Sequence, residues 1–374
     1  MVHLRYRIRK LASVGFNSEN ERRINVKKVT LLALAIILML SLITGCGSAN
    51  SSSNSGTDVK DPEVITFAWL PNNASDDFKD ARAEICKVIE KATGIKVVDK
   101  LTTDYAITVE ALASGNAQLA FVGGESYVEA HKKNPKVLPL VVNSGDSGTL
   151  KDAMYYSRLL VKKGNEDQYK SGSDYVIDNI AGKKFSFVST SSTSGFKVPS
   201  AGIVSYFSKQ DKWKDLKAED LLQGGSDKFF SQVIFGGSHQ LSLVNLLTDK
   251  SDVSAVDDFD VVNYVDLTSG TDNTPGAVYT VKKDAVDPFS KLAGTQFVVI
   301  KSTPVINAPI AVNTGALSQK TIDAITQVLT SDEVTKNEKI FLPKDSKYKG
   351  MFKAPQRFLT TEDAWYNPIR ELSK

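Results

Sequence analysis

From Val64 onward, short apolar segments alternate with amphipathic segments along the chain. The segment "VITFAWLP" has the composition of a strand, "DDFKDARAEICKVIEKATG" has the apolar spacing of a helix closed by a glycine, and "IKVVDKLT" is again typical of a strand. A middle block that begins at "IAGKKFSFVS" repeats this order. Because helices that connect parallel strands cover the faces of their sheet, the alternation predicts the α/β class with mostly parallel sheets.

The length of the chain predicts two lobes. Its 374 residues exceed what one ordinary core needs and fit roughly two domains. The long, two-faced segment "AMYYSRLLVKK" and the proline-marked segment "QFVVIKSTPVINAPIAV" are typical of strands that cross between lobes. We predict lobe 1 from residues 63–154 together with 310–374 and lobe 2 from residues 155–309, with a ligand in the cleft between them.

The first 45 residues have the pattern of a secretory signal. Lys27 and Lys28 precede an apolar run, and small residues follow it. The tetrapeptide "ITGC" then resembles a bacterial lipobox, in which the cysteine, here Cys46, becomes the first mature residue and carries the lipid. Residues 46–62 are rich in Ser, Asn and Gly, which predicts a flexible tether. We therefore expect an extracytoplasmic protein anchored to the cell membrane through Cys46; a plain membrane anchor is the alternative.

The charge of the mature chain limits its possible partners, and its cysteine content indicates a structural thiol. The full chain has 46 Lys and Arg against 43 Asp and Glu, a net charge of +3. Residues 1–45 hold eight of these bases and two of these acids, so 38 bases and 41 acids remain and the net charge becomes −3. The basic character belongs to the leader and gives no support for binding nucleic acid. Only Cys86 remains beyond Cys46, and its apolar helical neighbours predict a buried structural thiol.

Three strand-to-helix turns carry the signal of an anion site. Each turn brings glycine or serine to a helix start, where free backbone N–H groups and the helix dipole attract anions. The turns are "FVGGESY" (121–127), "FVSTSSTSGF" (187–196) and "FGGSHQ" (235–240). In the second turn, the hydroxyls of Ser192, Thr193 and Ser194 add three donors, and Gly195 permits close approach of the backbone. An ordinary helix cap in a serine-rich loop is the alternative for this turn.

Other chemistries find little support in the sequence. The serine turn lacks the glycine-lysine pair of a Walker A loop, so we do not expect a bound nucleotide. No HExxH motif, CxxC pair or clustered carboxylate loop is present, so we expect no metal and no cofactor. A serine hydrolase would need Ser192 or Ser194 with His239, and the glycine that a nucleophile elbow needs ahead of the serine is missing. Hydrolysis remains the weakest alternative.

Taken together, these segments resemble the phosphonate-binding PhnD-like family, the substrate-binding lipoproteins of ABC importers for phosphonate, phosphite and related compounds. The resemblance runs from about Ile65 to the C-terminus, in "TDYAITVEALASGNAQLAFVGGESYV", "STSGFKVP", "VIFGGSH", "STPVINAP" and "TTEDAWYNPIREL". It implies a two-lobed, type II periplasmic-binding-protein-like fold. It also implies a protein that is not an enzyme and that delivers its ligand to a membrane permease.

The resemblance places ligand-binding roles on the turns. Ser192, Thr193 and Ser194 would grip the phosphonate oxygens, and His239 of the "GSH" turn would donate to the same oxygens. A solvent-exposed histidine at a helix start is the alternative for His239.

Two tyrosines acquire roles in the same way. The tyrosine of "TDYA" is Tyr105, and the one after the Gly-Gly turn is Tyr127. Both would direct their hydroxyls or ring faces into the cleft. Without the resemblance, both would be expected in the core or at an interface.

An acidic pair follows the strand "DVSAV". The family commonly places an acidic or polar group there, so Asp257 or Asp258 would pair with the ammonium of an aminoalkylphosphonate. A solvated acidic turn is the alternative, because Asp260 continues the run. In the bend before the returning strand, where the family often has an acid, this chain has Ala308. That difference leaves smaller ligands such as methylphosphonate or phosphite open, and phosphate or an organosulfonate is the alternative ligand class.

Overall fold

The computed structural model describes residues 59–372, so the predicted signal segment, Cys46 and most of the predicted tether lie outside the described residues. Among residues 59–372, no helix combines the length and the apolar composition that a membrane crossing requires. The strands, in chain order, are β1 (Val64–Trp69), β2 (Lys96–Leu101), β3 (Leu119–Phe121), β4 (Val137–Asn143), β5 (Met154–Lys162), β6 (Lys170–Ser171), β7 (Asp174–Tyr175), β8 (Lys184–Phe187), β9 (Gln232–Phe235), β10 (Val253–Asp257), β11 (Val265–Ser269), β12 (Val278–Val281), β13 (Gln296–Ile306), β14 (Pro309–Asn313), β15 (Phe341–Leu342), β16 (Phe352–Lys353) and β17 (Phe358–Thr360). The α-helices are α1 (Lys79–Thr93), α2 (Tyr105–Ser114), α3 (Gly124–Lys133), α4 (Val198–Phe207), α5 (His239–Leu247), α6 (Gln319–Leu329), α7 (Asp332–Thr335) and α8 (Asn367–Glu371).

Two large sheets form the two lobes. The first has six strands in the order β17-β4-β14-β3-β1-β2, and the second has seven in the order β11-β12-β13-β5-β10-β8-β9. In the first sheet β1 pairs in parallel with β2 and β3, and in the second β8 pairs in parallel with β9 and β10. The remaining pairs in both sheets are antiparallel. The prediction of mostly parallel sheets is therefore wrong outside these two groups of three strands.

The crossing strands explain the antiparallel pairs. β5 leads the chain into the second sheet and β13 leads it back, so the two run in opposite directions and pair from Met154–Ile306 to Lys162–Phe297. β14 then enters the first sheet antiparallel to both β3 and β4. The first sheet thus takes its strands from residues 64–143 and 309–360, and the second from residues 154–306. The lobe boundaries expected from the sequence remain a prediction.

Each lobe packs helices and loops against its own sheet. In the first lobe, Cys86 of α1 belongs to an apolar cluster with the buried side chains of β1. It is 6% exposed, which confirms the predicted buried thiol, and burial raises the pKa of this thiol to about 12. In the second lobe, the ring of Phe230 packs 4.5 Å from Phe185 and 6.0 Å from Phe187 of β8.

The end of the predicted tether belongs with the folded part. The Asp61 carboxylate accepts hydrogen bonds from the backbone N–H and the hydroxyl of Ser318 and from the hydroxyl of Thr321, each at 2.7 Å. Ser318 is the N-cap of α6, so these bonds fix the chain to the start of that helix. The boundary of the tether at residue 62 remains a prediction.

The parallel strands carry the three predicted turns to one region. β3 leads through Gly123 into α3, and β9 leads into α5, whose first residue is His239. After β8, the chain forms a π-helical turn over Thr193–Lys197 before α4 begins. The carboxyl ends of parallel strands are where α/β sheets bind ligands, so the turns are placed for binding.

Candidate functional site

A cavity lies between the two lobes, where the parallel strands of both sheets end. About 50 Å³ of it is open to the centre of a water molecule. One water needs about 10–15 Å³ by this measure, so the cavity has room for about three to five water-sized groups, the size of a small tetrahedral anion. It is lined by Leu70, Asn72, Asn73, Tyr105, Phe121, Gly123, Asn143, Tyr155, Ser192, Thr193, Ser194, His239, Asp257, Phe259, Asp260, Asn307 and Ala308.

Six of the eight residues expected to contact a ligand line this cavity. They are Tyr105, Ser192, Thr193, Ser194, His239 and Asp257. The other two, Tyr127 and Asp258, do not line it. The structure therefore brings together most of the residues that the sequence singled out, from turns far apart in the chain.

The serine turn presents its hydroxyls to the cavity in a fixed conformation. Ser192, Thr193 and Ser194 are each 2% exposed. The Ser192 hydroxyl oxygen accepts the backbone N–H of Gly195 at 3.1 Å, so Ser192 caps the turn while its own proton stays available for donation. Gly195 is required for packing, because a Cβ there would overlap the side chain of Val188. The turn is thus both a cap and a wall of the cavity.

His239 is buried as a neutral donor. The backbone N–H of Asp257 donates to its Nδ1 at 3.0 Å, so a neutral ring carries its proton on Nε2. Nε2 lies 3.4 Å from the hydroxyl oxygens of both Ser192 and Ser194. Burial, and next the charge of Arg158, lowers the pKa of His239 to about 3. The alternative of a solvent-exposed histidine at a helix start is wrong, since His239 is 1% exposed.

This tautomer limits what the histidine can do. A protonated Nε2 has no lone pair with which to take a proton from Ser192 or Ser194, so the group cannot act as the base of a serine hydrolase. His239, Asp257 and Asp260 offer ligand atoms within 4.8 Å of one another, the spacing of a metal site. Nδ1 accepts the N–H of Asp257, so the ring proton is on Nε2. A protonated Nε2 has no lone pair for a metal ion and therefore cannot bind one. The arrangement fits hydrogen bonding to an anion better than either alternative.

Tyr105 begins a chain of hydrogen bonds that joins the two lobes at the cavity. Its hydroxyl donates to the side-chain oxygen of Asn72 at 2.8 Å, and the Nδ2 group of Asn72 donates to Asp260 at 2.6 Å. Asn72 follows β1, in the first lobe, and Asp260 follows β10, in the second. Tyr105 therefore fixes the orientation of an amide that joins the lobes, rather than directing a free proton at the ligand.

The structure corrects the expectation for Tyr127. This residue lies on α3, is fully buried, and donates its hydroxyl to Asp363 near the C-terminus. Its ring packs 4.8 Å from that of Tyr366. Gly123, one turn earlier, lines the cavity instead, because the N-terminal end of α3 and not its side faces the cleft.

The two acids of the predicted pair have different surroundings. Asp257 faces the cavity, where its Oδ2 lies 3.4 Å from the Ser194 hydroxyl and 3.3 Å from His239 Nε2. Burial raises the pKa of Asp257 to about 6. Asp258 faces away and accepts the backbone N–H of Tyr156 at 2.8 Å and the amide of Asn273 at 2.9 Å.

Asp260 and Tyr155 are two of the lining residues that sequence reasoning missed. Asp260, which the sequence suggested as part of a solvated turn, is 4% exposed, and only its Oδ2 has a hydrogen-bond partner. Burial, and next the charge of Asp257, raises the pKa of Asp260 well above its ordinary value. Tyr155 of β5 lies beside Thr193 and Ser194. No local sequence pattern marks either residue, because the place of each in the cavity depends on contacts between segments about 40 residues or more apart.

The serine turn is also bound to the first lobe. The backbone N–H of Glu125, at the start of α3, donates to the hydroxyl oxygen of Thr193 at 2.8 Å, and the hydroxyl of Ser126 donates to the carbonyl of Ser191 at 2.7 Å. Lys197 forms an ion pair with Glu125 at 3.1 Å, and both side chains are largely buried. These contacts hold the lobes together on one side of the cavity.

Comparison with known proteins agrees with this architecture. A family model described as "ABC transporter, phosphonate, periplasmic substrate-binding protein" matches residues 67–366. The chain is 30% identical over 259 residues to the phosphate-import protein PhnD of Mycolicibacterium smegmatis, an alignment that spans 68% of this chain and 72% of that protein.

Two solved structures share the fold. A binding protein component of an ABC phosphonate transporter from Pseudomonas aeruginosa aligns with a TM-score of 0.57 and 17% identity, covering 83% of this chain and 85% of that one. PhnD1 from Prochlorococcus marinus, solved in complex with methylphosphonate, aligns with a TM-score of 0.56 and 17% identity, covering 83% and 97%. The predicted two-lobed, type II fold is confirmed. The chain therefore belongs to the family of periplasmic substrate-binding proteins of phosphonate ABC transporters, and it is a binding protein and not an enzyme.

Proposed function

We propose that this protein binds a small phosphonate-class anion in the cavity between its lobes and delivers it to an ABC permease. The observation that carries the proposal is the convergence of Ser192, Ser194 and the Nε2–H of His239 on one buried cavity. Among residues 59–372, no Lys or Arg lines that cavity. Neutral donors fix an oxyanion by hydrogen-bond geometry, without an excess cation that would slow its release.

The proposed ligand class is alkylphosphonate, aminoalkylphosphonate or phosphite. Size favours the smaller members, because the cavity accepts about five water-sized groups at most. Ala308 lines the cavity and supplies no carboxylate for an amine. The complex of the Prochlorococcus marinus relative with methylphosphonate supports the same choice.

Phosphate is the second candidate ligand. The Mycolicibacterium smegmatis relative, 30% identical to this chain, is named for phosphate import. Phosphate and methylphosphonate have similar size and differ in one substituent, so the cavity volume does not separate them. Isothermal titration calorimetry of the full-length protein with methylphosphonate, phosphite, phosphate and methanesulfonate tests the choice. Tight binding of a phosphonate or phosphite supports the proposal, and equal affinity for phosphate and every phosphonate contradicts the ligand assignment.

We also propose that Cys46 carries a lipid that anchors the protein outside the cytoplasmic membrane. The "ITGC" sequence at residues 43–46 and the polar segment after it support this role. Metabolic labelling with a fatty-acid probe tests it: the wild-type protein should take up label and sediment with membranes. Cys46→Ser should do neither, and label retained in that variant would contradict the anchor.

A further inference from the structure

A set of hydrogen bonds joins the two lobes beside the cavity, between side chains that lie outside its lining. We propose that Gln240 and the pair Ser75–Tyr264 form a clasp that stabilises the closed form and so sets the affinity for the ligand without touching it. Within residues 59–372, the lining of the cavity includes none of these three side chains. The inference rests on the proposed function, since it concerns how strongly the closed protein holds its ligand.

Gln240 donates one hydrogen bond to each lobe. It is the second residue of α5, in the second lobe, and is 5% exposed. Its Nε2 atom lies 3.0 Å from the backbone carbonyl oxygen of Asn72, after β1, and 2.9 Å from that of Asp260, after β10. A side-chain amide has two N–H protons, so one proton bonds across the cleft and the other bonds within the second lobe. Both acceptors are backbone carbonyls, so these bonds do not depend on the protonation of the nearby carboxyl groups.

A second bond crosses the cleft from the same turn after β1. The hydroxyl oxygens of Ser75 and Tyr264 lie 2.5 Å apart. Ser75 belongs to the first lobe, and Tyr264 directly precedes β11 in the second. The Tyr264 ring is 1% exposed and packs 4.8 Å from the ring of Phe289 in its own lobe. Because both cross-cleft bonds require the lobes to be in contact, they stabilise the closed form and not the open form.

Arg82 anchors the turn that carries the first-lobe side of the clasp. Its side chain is 4% exposed, and its Nε donates to the Asp99 carboxylate of β2 at 3.2 Å. Its Nη1 donates to the backbone carbonyls of Asn73 and Ser75, the second at 3.2 Å. The turn is therefore fixed to the first lobe, so opening of the cleft breaks the clasp and leaves the turn folded.

The clasp acts on binding through the balance of open and closed forms. A ligand held between the lobes binds the closed form, so its apparent dissociation constant rises as the closed fraction of the protein falls. The clasp uses no ligand atom, so weakening it should lower the affinity for every anion that fits the cavity by the same factor. This distinguishes the clasp residues from Ser192 and Ser194, which line the cavity.

Tyr264→Phe and Ser75→Ala test the hydroxyl pair in a double-mutant cycle. Calorimetry with methylphosphonate, phosphite and phosphate should show about fivefold weaker binding for each single variant, because each removes the same bond. The double variant should bind no more than about twofold more weakly than either single variant, and effects that multiply would contradict the bond between the lobes. Tyr206→Phe is the matched control, because its hydroxyl donates to Asp178 within the second lobe, and it should bind as the wild type does.

Gln240→Ala tests the amide and adds a measurement that needs no ligand. Binding should weaken by about tenfold or more, because two carbonyl groups lose their donor. Small-angle X-ray scattering of the ligand-free variant should give a larger radius of gyration than that of the ligand-free wild type, since the clasp stabilises the closed form of the free protein too. Thermal unfolding verifies that each variant folds.

Three results would each overturn the inference and leave the proposed function intact. They are affinities within about twofold of the wild type in both Gln240→Ala and Tyr264→Phe, a loss of affinity that differs by more than about threefold between the anions, and equal radii of gyration for ligand-free Gln240→Ala and wild type. Failure of the wild type to bind methylphosphonate, phosphite or phosphate contradicts the proposed function, and the radii of gyration then still test the clasp.

Discussion

The backbone N–H of Asp257 donates to Nδ1 of His239 across 3.0 Å, and this one bond decides the chemistry of the cavity. It fixes the ring proton on Nε2, the atom that faces Ser192 and Ser194. A histidine that donates and stays neutral suits a binding site, because it stabilises an oxyanion without taking part in proton transfer.

The first prediction concerns that ring. Burial lowers the pKa of His239 to about 3, so we expect the ring to remain neutral, with the proton on Nε2, between pH 8 and pH 4. Because its pKa is lower in the folded state, His239 contributes fully to the free energy of unfolding above about pH 6.5, and this contribution is lost as the pH falls toward 3. Nitrogen-15 NMR of labelled histidine measures the tautomer directly. A ring that titrates near pH 6.5 would contradict the proposed environment.

The second prediction concerns the serine turn. Ser194→Ala and Ser192→Ala should each weaken methylphosphonate binding by about tenfold, because each removes one donor from a buried site. Ser192→Ala should also cost about 1 kcal/mol of stability, since Ser192 caps Gly195 and Ser194 does not. Thr190→Ala is the control, because Thr190 is exposed on the same turn. Calorimetry and denaturant unfolding measure the two effects, and unchanged affinity in both serine variants would mean that the turn is only a cap.

The third prediction concerns closure of the lobes. A Cβ at Gly123 would lie 2.7 Å from the hydroxyl oxygen of Thr193, so Gly123→Ala should hinder the approach of α3 to the serine turn. Affinity should fall by about tenfold or more, given the usual cost of an added methyl group in a tight contact. Small-angle X-ray scattering with saturating ligand should show a larger radius of gyration than for the wild type. Gly202→Ala, whose Cβ would lie 3.8 Å from its nearest neighbour, should behave as the wild type does.

The fourth prediction concerns pH and the acidic residues. Burial raises the pKa of both Asp257 and Asp260, so each binds a proton in the folded state that it loses on unfolding. Each therefore lowers the free energy of unfolding as pH rises from about 4 through its folded pKa, by about 1.4 kcal/mol per pH unit and proton. His239 acts in the opposite direction in part of this range, so the useful quantity is the difference between Asp260→Asn and the wild type. From pH 4 to pH 7 the free energy of unfolding of Asp260→Asn should rise relative to that of the wild type. A difference that stays constant over this range would mean that Asp260 is ionised throughout.

The sequence predicted the site best where its signals were local. The serine turn and His239 each stand at a helix start after a strand, and parallel strands bring such points to the same cleft. The choice between Asp257 and Asp258 stayed open because successive residues at the end of β10 point to opposite sides.

Long-range contacts account for what the sequence did not predict. Tyr127 was wrongly placed in the cleft because its partner, Asp363, comes from the other end of the chain. Asp260 resembled a solvated residue because Asn72, which binds it, precedes it by 188 residues. The antiparallel pairs of both sheets were missed for the same reason. In the second sheet β5 and β13 pair across more than a hundred residues, and in the first sheet β14 pairs with β3 and β4 across more than a hundred residues.

A crystal structure of the protein with methylphosphonate tests the central claim most directly. The ligand should lie in the cavity between the lobes, with its oxygens at about 2.7–3.2 Å from the Ser192 and Ser194 hydroxyls and from His239 Nε2. A ligand bound elsewhere on the protein, or one in the cavity that contacts neither serine nor His239, would contradict the claim.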